Sequence, residues 1–323
     1  MKTVYRKIAV LLCCMLTACS IFACKGIEIT GKTEDVEGYP AAQAMIIIGS
    51  ERNRYQSVFG QQIWSLPVEG QQESVYGPYF TAKMKEFLQD IKTLNLLAEE
   101  KGIIATSTEM EQIRDIASQF YNGLTDADKT FMGNCTYKDV TTMYTEYFVA
   151  CKTAEYLLSN VDSEVSDADA KVIEVQKIVV SDEATARQLL QLVNVSGANF
   201  AYYARQNSED TEISMTLAKN EKEDAVYTAA FQLEDNQISD IIEQDGKYYI
   251  LKCISSYDQK ATDDRKEKLE EAIRSNAFLK SFNDYAGQHI VRFREDYWKN
   301  IDLTANPDST ASNFFALYDT MNQ

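Results

Sequence analysis

The sequence predicts an α+β protein: a helical N-terminal body completed by a long C-terminal helix, with a small α/β block inserted between them. Three observations predict this. Two runs, 172–180 and 246–254, alternate apolar residues and are rich in β-branched and aromatic side chains, the pattern of strands. Short helical patterns separate those runs, and most of the remaining chain places apolar residues at three- and four-residue steps. No proline lies between Pro78 and Pro307, so that span loses no helical hydrogen bond for want of an N–H.

Composition narrows the function. A chain of 323 residues fits roughly two domains, and 45% apolar residues are enough for a real core. The net charge of −17 repels nucleic acid and anionic headgroups, so no nucleic-acid partner is expected. A single histidine disfavours His-rich metal sites and most His-based catalysis. Cys135, Cys151 and Cys253 are widely spaced, and there is no CxxC. They read as small buried hydrophobes rather than disulfide partners or metal ligands. No metal and no cofactor are expected, and no phosphate loop or catalytic triad is visible.

The N-terminus reads as a targeting segment over residues 1–23. Lys2, Arg6 and Lys7 precede an uncharged, largely apolar run from Ile8 to Ala23, short for a membrane span and suited to an export signal. Two tetrapeptides, Leu16-Thr17-Ala18-Cys19 and Ile21-Phe22-Ala23-Cys24, resemble the lipobox of bacterial lipoproteins. That resemblance implies lipidation at Cys24, where the apolar run ends, with Cys19 as the alternative. It places the protein on the extracytoplasmic face of the bacterial cell membrane, held by lipid. Loss of the three basic residues would take the net charge to about −20.

The helical body is expected over 24–165. A short strand is predicted at Ile27–Thr30, and Pro40 opens a helix over 41–59 that Gly60 stops. Residues 61–78 read as a loop anchored by Ile63, Trp64 and Leu66. Phe80, Met84, Phe87, Ile91, Leu94 and Ala98 then define a strong helix with Gly102 as its C-cap. Thr106 with Glu109, and Thr108 with Glu111, both have capping-box spacing, and Thr125 with Asp128 resembles another cap. Ile113, Ile116, Phe120 and Leu124 mark the next helix. Val140, Tyr144, Tyr147, Phe148, Cys151 and Tyr156 mark a third, over 137–158.

The α/β block is expected over 166–258. Its order is strand, helix (183–193), helix (200–207), loop, short helix (224–231), strand. A long helix should follow from Thr262 to about Trp298, within a 259–299 segment that packs on the N-terminal body. Leu269, Ile273, Phe278, Phe282, Tyr285, His289, Phe293 and Tyr297 form its apolar face, and a stripe that long must be buried. His289, on that face, reads as a satisfied packing residue. Residues 300–323 read as a polar, loose tail in which Phe314, Phe315, Leu317 and Tyr318 could dock a last turn.

The block also carries a family resemblance. Gly197-Ala198-Asn199-Phe200, Ala204 and Ser208-Glu209-Asp210 resemble the G-x-x-F-x-x-x-A-x-x-x-S-x-D run of parvulin-type (PpiC-like) peptidyl-prolyl isomerases. Ala229-Ala230-Phe231-Gln232-Leu233 with Gln237-Ile238-Ser239 is similar to their A-A-F-x-L…E-I-S segment, and Gly246 to Lys252 to their closing strand. With the signal, the helical half and the C-terminal helix, the chain resembles the PrsA/SurA-type exported foldases. That resemblance implies a SurA-N-like helical domain and a client of unfolded or newly secreted polypeptide. It leaves homodimerisation open.

The resemblance also implies a site. The positions of the family's two histidines hold Lys177 and Tyr249. Lys222 and Val226 stand where a Met and a Phe usually floor the proline pocket, and 212–217 replaces a Gly-rich loop. Asp210 survives from the polar set. Asp210, Tyr249 and Lys177 are therefore the implied catalytic group, and Phe231, Val226, Met215 and Leu217 the implied substrate walls. Isomerisation breaks no bond, so holding the twisted amide better than the planar one is enough. A non-catalytic client-holding role, or a surface assembly role, is the alternative.

Overall fold

The computed structural model describes residues 34–71 and 73–321. The strand expected at Ile27–Thr30 and both lipobox cysteines lie outside the described residues. The chain divides into two compact units. One comprises the residues up to Asn160 together with Ala277–Gln323, the other Val161–Asn276.

The helical unit begins with β1 (Glu34–Glu37) and α1 (Ala41–Phe59). Pro40 is the N-cap of α1 and Gly60, at φ 75°, its C-cap. A 3-10 turn at Gln61–Ser65 buries Ile63 and Trp64, whereas Leu66, expected as an anchor, is 49% exposed. Next comes α2 (Tyr76–Lys101), with Pro78 in its first turn, where no intrahelical N–H is needed. Its C-cap Gly102 sits in the left-handed region at φ 69°, which only glycine enters at no cost. There follow α3 (Ser107–Gly123), α4 (Asp126–Phe131) and α5 (Tyr137–Ser159). All three open with complete capping boxes: Thr106 with Glu109, Thr125 with Asp128, and Thr136 with Asp139. The Thr108–Glu111 spacing is not used, because Thr106 already caps α3 and Thr108 lies inside it. Tyr156, expected on the buried stripe of α5, is 45% exposed.

The sheet unit opens with α6 (Asp167–Ala170), capped by Ser166, and β2 (Val172–Val180). Then come α7 (Glu183–Val193), α8 (Phe200–Asn207), β3 (Ser214–Ala218), α9 (Ala225–Ala230), β4 (Ile242–Gln244) and β5 (Lys247–Ser255). The four strands run β3-β2-β5-β4, antiparallel throughout. Strand β3 lies where the sequence reading had only a loop. Alternation divides the sheet into two faces. On one, Ile178, Val180 and Ile250 pack against Ala186, Leu189, Phe200 and Ala204 of α7 and α8. On the other, Ile173, Val175, Leu217, Leu251 and Cys253 pack under Val226 and Ala230 of α9.

Helix α10 (Gln259–Gln288) starts in the sheet unit, where Thr262 accepts from Val172 N–H at 3.0 Å. From Ala277 it belongs to the helical unit, and there Phe278 and Phe282 enter the core. Ile273 is 40% exposed, so the apolar stripe is not buried along its whole length. The helix also ends ten residues earlier than its periodicity suggests. His289–Arg292 form β6, parallel to β1 in a two-stranded sheet, with Val36 opposite Val291. After α11 (Glu295–Trp298) the chain runs without regular structure to α12 (Phe314–Thr320).

The last segment is not a loose tail. Arg52, fully buried on α1, donates to the carbonyls of Leu303 (2.9 Å) and Ala305. Asp128, 1% exposed, accepts from Ser309 Oγ at 2.9 Å and from the N–H groups of Thr310 and Ala311 at 2.7 and 3.0 Å. Phe314 is buried and stacks on Tyr144 with ring centroids 4.0 Å apart. Polar composition misled here: the polar groups of this stretch are spent on buried partners rather than on water.

Candidate functional site

The site implied by the sequence lies on the α9 face of the four-stranded sheet. Ile173, Val175, Lys177 and Val179 alternate onto that face of β2. Lys177 is paired across the ladder with Leu251, and Val179 with Tyr249, so Lys177 and Tyr249 are diagonal neighbours. Met215 stands opposite Val175 on β3. A charged residue therefore sits in a row otherwise filled with apolar side chains.

Asp210 answers that charge. The stretch from Ser208 to Ile213 runs beside β2, fixed by Glu209 N–H to the Val179 carbonyl and Lys177 N–H to the Ile213 carbonyl, both 2.8 Å. Within it, Asp210 N–H donates to Ser208 Oγ at 3.3 Å, and Asp210 Oδ1 accepts from Glu212 N–H at 3.1 Å. This aims the second carboxylate oxygen, Oδ2, at the Lys177 ammonium, with which it forms a hydrogen-bonded ion pair. The Lys177 side chain is 12% exposed and that of Asp210 38%. The hydrogen bond from Lys177, then that from Glu212 N–H, hold the Asp210 carboxyl below the usual carboxylate range.

The implied substrate walls divide in two. Leu217 and Val226 are buried in the sheet core, so they support the face rather than meet a ligand. Met215 and Phe231 are half-buried at its margin. Tyr249 is half-buried too, packed against the same cluster. Lys222 does not floor a pocket: it is exposed, with its ammonium 5.7 Å over the Tyr227 ring. The arrangement offers ammonium N–H donors and a phenol beside apolar surface. Such groups can hold a carbonyl and a small ring; they form no nucleophile–base pair. Ser208 belongs to the S-x-D run, itself a turn signal, and Glu212 to the stretch that replaces the Gly-rich loop, but neither pattern shows that they orient Asp210.

His289 lies in the helical unit. Its ring stacks on Tyr285 at 4.0 Å, and its Nδ1 is 3.1 Å from the Tyr285 carbonyl. Among the described residues no cluster of three or more His, Cys, Asp or Glu side chains could hold a metal ion. No helix among them is long and apolar enough to cross a membrane.

No protein-family model matches the chain. Curated relatives do. It is 30% identical over 152 residues to the foldase protein PrsA of Streptococcus gordonii, a match covering 40% of this chain and 49% of that one. It is 30% identical over 154 residues to foldase protein PrsA 3 of Bacillus cereus, covering 44% and 52%. The chain thus spans about half the length of the curated relatives it matches. Among solved structures, PrsA from Bacillus cereus overlaps at 19% identity and a TM-score of 0.32, covering 79% of this chain and 98% of that one.

Proposed function

We propose that this homologue of the PrsA foldases is an exported foldase that assists newly secreted polypeptides. In this reading the helical unit, up to Asn160 and again from Ala277, forms a client-binding body, and Val161–Asn276 a parvulin-like module. The lipid on Cys24, or on Cys19, holds the protein at the extracytoplasmic membrane face. The observation that carries the reading is the ordered group of Lys177, Asp210 and Tyr249 on one sheet face, at the positions where the resemblance puts a parvulin site. Lys177 would donate to the carbonyl of a twisting X–Pro amide, Asp210 would position Lys177, and Met215 and Phe231 would border the ring.

A second reading is client holding without isomerisation. It is favoured by the ion pair, which engages the Lys177 ammonium before a substrate arrives, and by the burial of Val226 and Leu217. A proline-peptide isomerisation assay separates the two. Loss of rate in Asp210→Ala and Tyr249→Phe supports catalysis. No rate above background in the unaltered chain, together with suppressed aggregation of an unfolded client, supports holding. Absence of both activities would sink the foldase proposal. Membrane fractionation of Cys24→Ser and Cys19→Ser assigns the lipid, and sedimentation of the chain decides between monomer and homodimer.

A further inference from the structure

A cleft of ≈ 500 Å³ opens in the helical unit between the first turns of α2, the 3-10 turn and the segment after β6. The chain has two tryptophans, Trp64 and Trp298, and both line it. Trp64, 6% exposed, belongs to the floor and leaves little of its ring open: its Nε1 donates to Gln56 Oε1 at 2.8 Å and its ring lies 5.0 Å from that of Phe80. Trp298 packs edge-on against Phe293 at 5.3 Å and carries the Lys85 ammonium 6.0 Å above its ring. Pro78 adds apolar wall, with buried Leu303 beneath it; Thr81 and Thr304 add polar rim. The hairpin joining Trp64 to Gly77 begins and ends with Leu66 and Val75, 49% and 37% exposed, with Tyr76 N–H bonded to the Leu66 carbonyl. Apolar side chains are thus left uncovered next to an indole-lined cleft.

Charge decides what fits. Three carboxylates on the lining, Glu73, Glu295 and Asp302, outnumber two ammoniums, Lys85 and Lys299, and Glu295 is already bound to Lys299 at 2.8 Å. The surrounding chain is acidic, at −17. An acidic occupant is repelled and a neutral or basic one drawn in. The half-buried Trp298 indole favours aromatic and large aliphatic side chains, while hydroxyl and charged groups at the rim can meet peptide N–H and C=O.

We propose that this cleft takes an extended client segment that carries an aromatic or large aliphatic side chain and is neutral or basic overall. The proposal rests on the foldase reading and goes beyond it by assigning the place and the preference.

The two tryptophans make the cleft its own reporter. The full chain is titrated with four peptides of equal length, following tryptophan emission. Three carry one Phe in a neutral, basic or acidic background, and the fourth has Ala in its place. Saturable shifts are expected with the neutral and basic Phe peptides, the basic one binding about tenfold tighter than the acidic one. The Ala peptide should not saturate. Trp298→Ala should weaken the basic peptide about tenfold, and Trp298→Phe should retain binding. Thr304→Arg, at an exposed rim position, should weaken the basic peptide several-fold without disturbing the core, and it reads the site even if Trp298→Ala fails to fold. Equal affinity for acidic and basic peptides overturns the stated occupant. No response to any peptide, in a chain that still suppresses client aggregation, overturns the cleft and leaves the foldase reading standing. No response and no suppression overturns that reading as well.

Discussion

Lys177 is a charge in an apolar row, and Asp210 is what makes it tolerable. Removing the carboxylate leaves an ammonium that is 12% exposed without its partner. Asp210→Ala should therefore cost about 1–3 kcal/mol in urea unfolding. Lys177→Met with Asp210→Ala should cost less than Asp210→Ala alone, because the stranded charge is gone. Asp128 makes the same point with a different outcome. Burial works against its charge, but hydrogen bonds from Thr125, Ala311 and Ser309 outweigh it and hold its pKa below the ordinary carboxylate range. A carboxyl lowered by folding stabilises above its unfolded pKa, and that contribution disappears as pH falls through the folded value. The 309–311 contacts should hence persist at neutral pH and weaken below about pH 4. Loss of near-UV dichroism in that range, reproduced at pH 7 by Asp128→Ala, checks it. The sequence brought Lys177 and Asp210 under suspicion by resemblance, yet a list of positions could not show that they bond to each other. Nor could it separate Val226 and Leu217, which are buried, from Met215 and Phe231, which are not, since all four are simply apolar residues near helix and strand ends.

Helix ends were the most legible elements, because their determinants lie within four residues of one another. The capping boxes at Thr106 and Thr125, the Pro40 start and the Gly102 stop are all short-range chemistry. Gly102→Ala should cost about 1 kcal/mol, from a left-handed residue given a Cβ. Thr136→Ala should cost about the same, from the lost box. Urea midpoints check both, and no change in either would show that these ends fray. The elements that escaped are instructive. Ile213, Met215 and Leu217 do alternate, so β3 was present in the pattern, but five residues of alternation are a weak signal beside a resemblance that implies a loop. The early end of α10 had no local signal strong enough to compete with the stripe that runs through His289, Phe293 and Tyr297. Ile290 and Val291 favour a strand, and they become one because β1, from the opposite end of the described chain, supplies the partner.

At the scale of the molecule, two cores are drawn from differently distributed sequence. The sheet unit uses a continuous stretch; the helical unit closes only when residues after Ala277 return. Truncation after Lys299 would remove Leu303, Phe314 and Tyr318 from that core, each worth about 1.5–3 kcal/mol when buried. It would also strip Arg52 and Asp128 of buried partners. The truncated chain should lose the cooperative unfolding of the helical unit while the sheet unit still melts; a calorimetric trace with both transitions intact would refute this. By itself the sequence determined the α+β class, nearly every helix, the two long strands and the acidic character of the chain. These follow from periodicity, short-range capping and summed charge, which do not depend on where distant residues lie. Only the tertiary structure decided that the C-terminal segment is core, that β6 replaces the last turns of a helix, that Lys177 is neutralised by Asp210 and that both tryptophans meet at one cleft. Each joins residues far apart in the chain, where a side chain's environment is set by partners that local pattern does not encode.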